Sequence, residues 1–269
     1  MKTQFIRYKN SQIEVLKFGE GEKLLIAFHG FGDKAKLFSP LTSLSSVYTV
    51  CAVSFPYHGA TDWKEGLFSK DDILTIIQLI LEKEGKEKFS IMGYSMGGKV
   101  ALSMIPLVYQ QLEKVYLLAP DGILTHPLYD VITIPRKVVK LIKLLMRMPP
   151  LFFGLVKFAF KLRILSKFLN DFTFNHFSTK AQRHRFFNVY DSLGDFIPNH
   201  TEVHSILNRH GIPAEMVYGV RDEVIPVAGG EKFAAKLTQV QFHVMDKGHL
   251  LIDEDLDKLL GESLSEMAR

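Results

Sequence analysis

Between Ser90 and Leu102 the chain reads SIMGYSMGGKVAL, which sets Ser95 between Gly93 and Gly97 where an apolar run gives way to a helix-like one. The pattern G-x-S-x-G marks a nucleophile elbow, a strand-to-helix turn too tight for side chains beside the serine. A serine hydroxyl attacks only when a neighbouring base takes its proton. Imidazole, with an ordinary pKa near 6.5, does this close to neutrality. His249 in DKGHL is the candidate base, and Asp222 in YGVRDEVIP is the candidate carboxylate that orients it. Upstream, His29-Gly30-Phe31-Gly32 forms a glycine loop able to turn a backbone N–H toward a reacting centre. Each assignment has a competitor. Serine is also a good helix N-cap. Glu223 adjoins Asp222, and Asp195 in DSLGDF is a more distant third carboxylate. Among the other histidines, His243 falls inside a strand-like run, and His126, His176, His184 and His200 fall in a region of different pattern.

The elements that must position these residues follow from short apolar runs. IEVLKF, KLLIAFHG and YTVCAVSF read as strands, each ended by Gly, Pro or Asp. DDILTIIQLILEKEG reads as an amphipathic helix with acids at its start and Gly85 after its end. KFSIMG then reads as a strand, SMGGKVALSMIPLVYQQ as a helix and KVYLLAP as a strand. This βαβα order predicts an α/β fold: a mostly parallel central sheet with helices on both faces. After Pro120 the rhythm breaks, and residues 122–198 hold helical and irregular segments with no convincing strand. It resumes with AEMVYG, GGEKFAAKL, VQFHVM and the closing helix LLIDEDLDKLLGESL. The expected organisation is a core of residues 1–121 and 199–269, with a helical insertion at 122–198. Parallel strands present their C-terminal ends on one edge of the sheet, so the glycine loop, Ser95, Asp222 and His249 can converge there.

At this point the chain resembles the α/β-hydrolase family over nearly its whole length. HGFG, SFPYHGATDW, GYSMGG, YGVRDEVIP and DKGHL look like that family's oxyanion loop, post-strand loop, elbow, acid loop and histidine loop. One departure is visible: Ser54-Phe55-Pro56-Tyr57-His58-Gly59 stands where members often have Asp-x-Pro-Gly-His-Gly. The resemblance implies that 122–198 is a cap placed between the sixth and seventh strands. It also implies a Ser95-Asp222-His249 triad, with the backbone N–H groups of Phe31 and Met96 donating to the oxyanion. His29 and His58 are then scaffold residues rather than catalysts.

On this reading the expected activity is a cofactor-independent serine hydrolase forming an acyl-enzyme on a small-molecule ester with an apolar acyl group. Tyr94, Leu151, Phe152, Phe153 and Phe158 are expected to line its pocket. The GYSMGGKVAL elbow also resembles those of family members that cleave carbon-carbon bonds or eliminate pyruvate in menaquinone biosynthesis; Arg136 or Lys137 would then meet a carboxylated substrate. A binding protein on the same scaffold, with its triad unused, is the reading from a different class.

Composition limits the remaining classes. Hydrophobic residues make up 47% and charged residues 23%, the usage of a globular protein, and the 21 phenylalanines require a core or an apolar pocket. The lone Cys51 lies in a strand-like run and reads as a buried, inert thiol. No signal-peptide pattern opens the chain, so a cytoplasmic location is expected. The net charge of +4 is unevenly placed: residues 131–170 hold nine Lys or Arg and no Asp or Glu. This segment, LIKLLMRMPPLFFGLVKFAFKLRIL, reads first as a solvated helix face over an apolar underside that closes the site. The second reading is an interfacial helix making peripheral contact with anionic lipid. Pro149 and Pro150 interrupt it, which argues against a membrane span. No nucleotide-cradling glycine pattern, clustered metal ligands or nucleic-acid module is present, so no cofactor, no metal and no nucleic-acid partner is expected.

Overall fold

The computed structural model describes residues 1–123, 136–165 and 167–267. Its strands are β1 (Lys2–Tyr8), β2 (Ser11–Phe18), β3 (Lys23–Phe28), β4 (Tyr48–Val53), β5 (Phe89–Tyr94), β6 (Leu112–Leu118), β7 (Ala214–Gly219) and β8 (Val240–Met245). Its α-helices are α1 (Lys70–Glu84), α2 (Met96–Val108), α3 (Arg136–Leu145), α4 (Pro149–Lys161), α5 (Lys167–Phe177), α6 (Lys180–Ser192), α7 (His200–His210), α8 (Val227–Ala234) and α9 (Glu254–Met267).

The strands form one eight-stranded sheet in the order β1-β2-β4-β3-β5-β6-β7-β8. β1 and β2 pair antiparallel, as do β2 and β4, and every other pairing is parallel. Strands β4, β5 and β7 are buried along their whole length, which is why they read as unbroken apolar runs: helices cover both faces of the parallel part. β1 was not anticipated. Its sequence KTQFIRY alternates weakly and carries charge, as suits an edge strand with little to bury.

The helix α1 begins and ends where its residues predict. Ser69 and Asp72 form a reciprocal capping box, and Gly85 closes the helix in the left-handed region at φ 62°. The last helix starts later than its apolar pattern suggests, at Glu254. Asp253 Oδ1 accepts from the N–H groups of Asp255 and Leu256, so the preceding residues are free to form a loop.

Between β6 and β7 the described residues hold α3 to α6 and no strand, and then α7, which packs on α2. Met146, Phe152, Val156, Phe177 and Phe186 form a second apolar cluster there, separate from the core around the sheet. This cluster is where much of the phenylalanine excess is used.

Candidate active site

Ser95 leaves β5 at φ 50° and ψ −118°, a backbone conformation that L-residues avoid. Neighbouring backbone holds it there. Its N–H donates to Leu118 O at 3.0 Å, and its carbonyl accepts from Gly98 at 2.8 Å and Asp121 at 2.9 Å. The surrounding glycines are required by space. A Cβ on Gly97 would lie 2.0 Å from Phe28 O, one on Gly98 2.3 Å from Pro120 Cβ, and one on Gly93 2.5 Å from Gly97 O. Ser95 makes no side-chain capping bond to α2. Its Oγ instead lies 2.9 Å from His249 Nε2.

The other face of that imidazole meets the acid. His249 Nδ1–H donates to Asp222 Oδ2 at 2.7 Å, which leaves Nε2 as the acceptor for the serine hydroxyl. Asp222 is buried, and its second oxygen accepts from the N–H groups of Val224 and Ile225, both at 2.8 Å. The two loops stay together because they leave adjacent parallel strands and are bonded to each other. Val220 N–H donates to Met245 O at 2.9 Å and Arg221 N–H to Lys247 O at 2.8 Å. A Cβ on Gly219 would sit 2.4 Å from Gly248 O, so glycine permits this approach. Tyr94 adds a further tether, its hydroxyl donating to His249 O at 3.0 Å. Glu223 and Asp195 are exposed and bond to neither partner. His243 faces Glu215 at 3.5 Å, His200 bonds Gly122 O, and His126 lies outside the described residues.

The glycine loop is held by a reciprocal pair of histidines. His29 Nε2 accepts from Phe55 N–H at 3.0 Å, and His58 Nε2 accepts from Gly32 N–H at 3.1 Å. Each uses its Nδ1–H on a nearby carbonyl, His29 on Gly30 O and His58 on Pro56 O. Burial pushes His29 down to about 4 and His58 well below its ordinary value, so both stay neutral and keep their acceptor nitrogens. The departure Ser54 to Gly59 thus has a structural role. Ser54 Oγ accepts from Ala35 N–H and donates to Glu14 Oε2, and His58 fixes the loop that carries Phe31.

These groups open into a cavity of about 310 Å³, at the small end of ligand pockets. Ser95, His249, Phe31, Met96 and Tyr94 line its sheet side, and Phe172 and His176 of α5 with Phe186, Val189 and Tyr190 of α6 line the opposite side. Leu151, Phe152, Phe153 and Phe158, expected from sequence to line the pocket, do not. They belong to α4, which forms an outer layer. Phe152 is buried against Phe177, Phe153 packs on Phe174, and Leu151 and Phe158 face solvent. Polar residues interrupt α5 and α6 and weaken their apolar signal, although Phe172-His176 and Phe186-Tyr190 recur at i, i+4. Asp33 was also missed: it lines the cavity, and burial raises its carboxyl to about 6 against the opposing pull of His249 and Arg185. Burial likewise lowers His176 to about 4. The Cys51 thiol is buried and pushed up to about 12 by that burial. Among the described residues, no three His, Cys, Asp or Glu side chains are grouped to hold a metal ion.

A family model for the alpha/beta hydrolase fold matches residues 23–256. The chain belongs to the α/β-hydrolase family. A relative spanning nearly all of it is the uncharacterized hydrolase YugF of Bacillus subtilis strain 168, 22% identical over 267 residues, covering 93% of this chain and 91% of that one. The dihydrolipoyllysine-residue acetyltransferase component of the acetoin cleaving system of Cupriavidus necator is 27% identical over 120 residues. That match covers 44% of this chain and 32% of the relative, so this chain spans about a third of it. Among solved structures of this α/β-hydrolase fold, a bacterial membrane phospholipase A superposes with a TM-score of 0.71 at 18% identity, covering 100% of this chain and 87% of that one. A meta-cleavage product hydrolase superposes with a TM-score of 0.69 at 18% identity, covering 98% of each chain. At these identities the likeness is one of fold.

Proposed function

We propose that this hydrolase cleaves a neutral carboxylic ester of small to medium size, its acyl group apolar, through an acyl-enzyme on Ser95. The observation that carries the reading is the continuous line Ser95 Oγ, His249, Asp222 at the base of an aromatic-lined cavity. Ser95 Oγ attacks the ester carbonyl carbon while His249 Nε2 takes its proton, and Asp222 stabilises the resulting imidazolium. The backbone N–H groups of Phe31 and Met96, both at the cavity wall, are assigned to the oxyanion. Each such donor is worth roughly 3 kcal/mol in the transition state. The leaving alkoxide takes the proton from His249, and water repeats the sequence to release the acid. Helices α5 and α6 act as the cap that excludes bulk water and holds the acyl group.

Asp33 supports a neutral substrate over a carboxylated one. The ionisable acid beside the catalytic line becomes an anion above about pH 6, while Arg185 lies in the neighbouring groove with Lys34 and Lys36. The side chains of Arg136 and Lys137 lie outside the described residues.

The test is turnover of p-nitrophenyl esters from acetyl to decanoyl, with Ser95→Ala expected to lower kcat by roughly 10⁴ to 10⁶. If every ester is inert and a vinylogous diketo acid is cleaved, the substrate is a carbon-carbon bond instead. If a fluorophosphonate probe leaves Ser95 unlabelled in the folded protein, the chain is a binder rather than an enzyme.

A further inference from the structure

Among the described residues, the exposed apolar side chains concentrate on α3, α4 and the turn after them. On α4 and its C-cap, Leu151, Leu155, Phe158 and Leu162 recur at i, i+4, i+7 and i+11, one stripe with exposures from 46% to 61%. On α3 and its exit, Val138, Leu141, Leu144 and Met148 form a similar exposed row. The two helices are in contact, and Ile164 follows at 73% exposed. A separate inward stripe satisfies the second apolar cluster: Ile142 and Leu145 on α3, Phe152 and Val156 on α4. The apolar arc of each helix is therefore wider than the fold covers. Monomeric proteins in water seldom leave such contiguous rows open.

Charge selects what covers it. Residues 131–170 hold nine cations and no acid, and Lys140, Arg147, Lys157, Lys161 and Arg163 are exposed around the rows. A second copy would bring the same cations face to face, which opposes self-association. An anionic surface with an apolar interior meets both features, because the rows enter the acyl boundary while lysine and arginine stay at the headgroups. We infer that the outer face of α3 and α4 seats this protein on an anionic lipid bilayer. No helix among the described residues is long and apolar enough to cross a membrane, so the contact is one of the surface. This inference stands apart from the ester reading, since α5 and α6, and not α3 and α4, line the cavity.

The experiment is sedimentation of the full chain with vesicles of phosphatidylcholine alone and of phosphatidylcholine mixed with phosphatidylglycerol, at low and high salt. Binding to the mixed vesicles is expected at low salt, falling about tenfold or more at high salt, with little binding to the neutral ones. Lys140→Gln and Lys161→Gln should each weaken it about fivefold. The double variant Leu155→Glu, Leu162→Glu should abolish it while leaving the circular dichroism spectrum and p-nitrophenyl acetate turnover unchanged. Loss of turnover by Ser95→Ala with vesicle binding intact would keep the two readings distinct. The inference is overturned by absence of binding to anionic vesicles, by binding indifferent to lipid charge, or by variants that bind like the wild type. It is also overturned by a stable dimer in ultracentrifugation that the double glutamate variant dissociates, which would give the face to a second copy.

Discussion

At the scale of single residues, Asp33 sets the charge of the cavity wall. Burial holds its carboxyl up at about 6, so near neutrality the cavity gains a negative charge that it lacks at pH 5. His176 is neutral throughout this range, since burial has lowered it to about 4. A like charge on the substrate, about 10 Å away at an effective dielectric near 20, costs on the order of 1–2 kcal/mol, or about tenfold. The ratio of kcat/KM for a neutral ester over a carboxylate-bearing ester of like size should therefore rise about tenfold as pH passes upward through 6. Asp33→Asn should flatten that rise. A ratio that ignores pH in the wild type would place the substrate beyond the field of Asp33.

At the scale of elements, the elbow depends on two backbones approaching to a distance that only glycine permits. The Cβ of Gly97→Ala would meet Phe28 O, part of the neighbouring strand β3, and neither group can swing aside. The expected cost is about 1–3 kcal/mol of stability by overpacking, with kcat reduced about a hundredfold because Ser95 moves relative to His249. Gly154 is the contrasting case. It lies within α4, where an added Cβ meets nothing within 4 Å, so Gly154→Ala should stabilise by about 0.5–1 kcal/mol with turnover unchanged. Urea denaturation followed by circular dichroism, with ester turnover alongside, reads both. Equal effects of the two substitutions would show that helix propensity, and not contact with β3, governs the elbow.

At the scale of the whole molecule, the buried histidines make stability depend on pH. His29 is held neutral down to about 4 in the folded chain, against 6.5 for an ordinary histidine, and His58 is displaced in the same direction. Between these values the unfolded chain binds more protons than the folded one, so stability falls as pH falls. It is complete above about 6.5 and declines toward 4, by roughly 3 kcal/mol for His29 alone. Urea unfolding at pH 7 and pH 4.5 should show this decline. His29→Gln, which keeps an acceptor without a titrating ring, should reduce it. A wild-type stability that is flat across this range would mean that protonated His29 is accommodated without loss of its bond to Phe55.

The elbow, the acid and histidine loops and the βα rhythm were legible in the sequence because each rests on local constraints: glycine where backbone crowds, apolar runs where both sheet faces are covered, and loops closing parallel strands. Ser95, His249 and Asp222 fall in one hydrogen-bonded line because those loops share one sheet edge. Other features needed the fold. β1 has little to bury at the sheet edge, so its seven residues carry a weak pattern. The bonds from Phe55 N–H to His29 and from Gly32 N–H to His58 join residues 26 apart in sequence, and no periodicity marks them. Most of all, α4 is apolar over an arc broader than its neighbours cover. Periodicity identifies such a helix without saying which of its apolar rows turns inward, so the pattern points to α4 for the pocket, whereas residues of α5 and α6 line the cavity. An amphipathic pattern specifies that a face will be covered; the neighbour that covers it is chosen by packing between elements far apart in the chain.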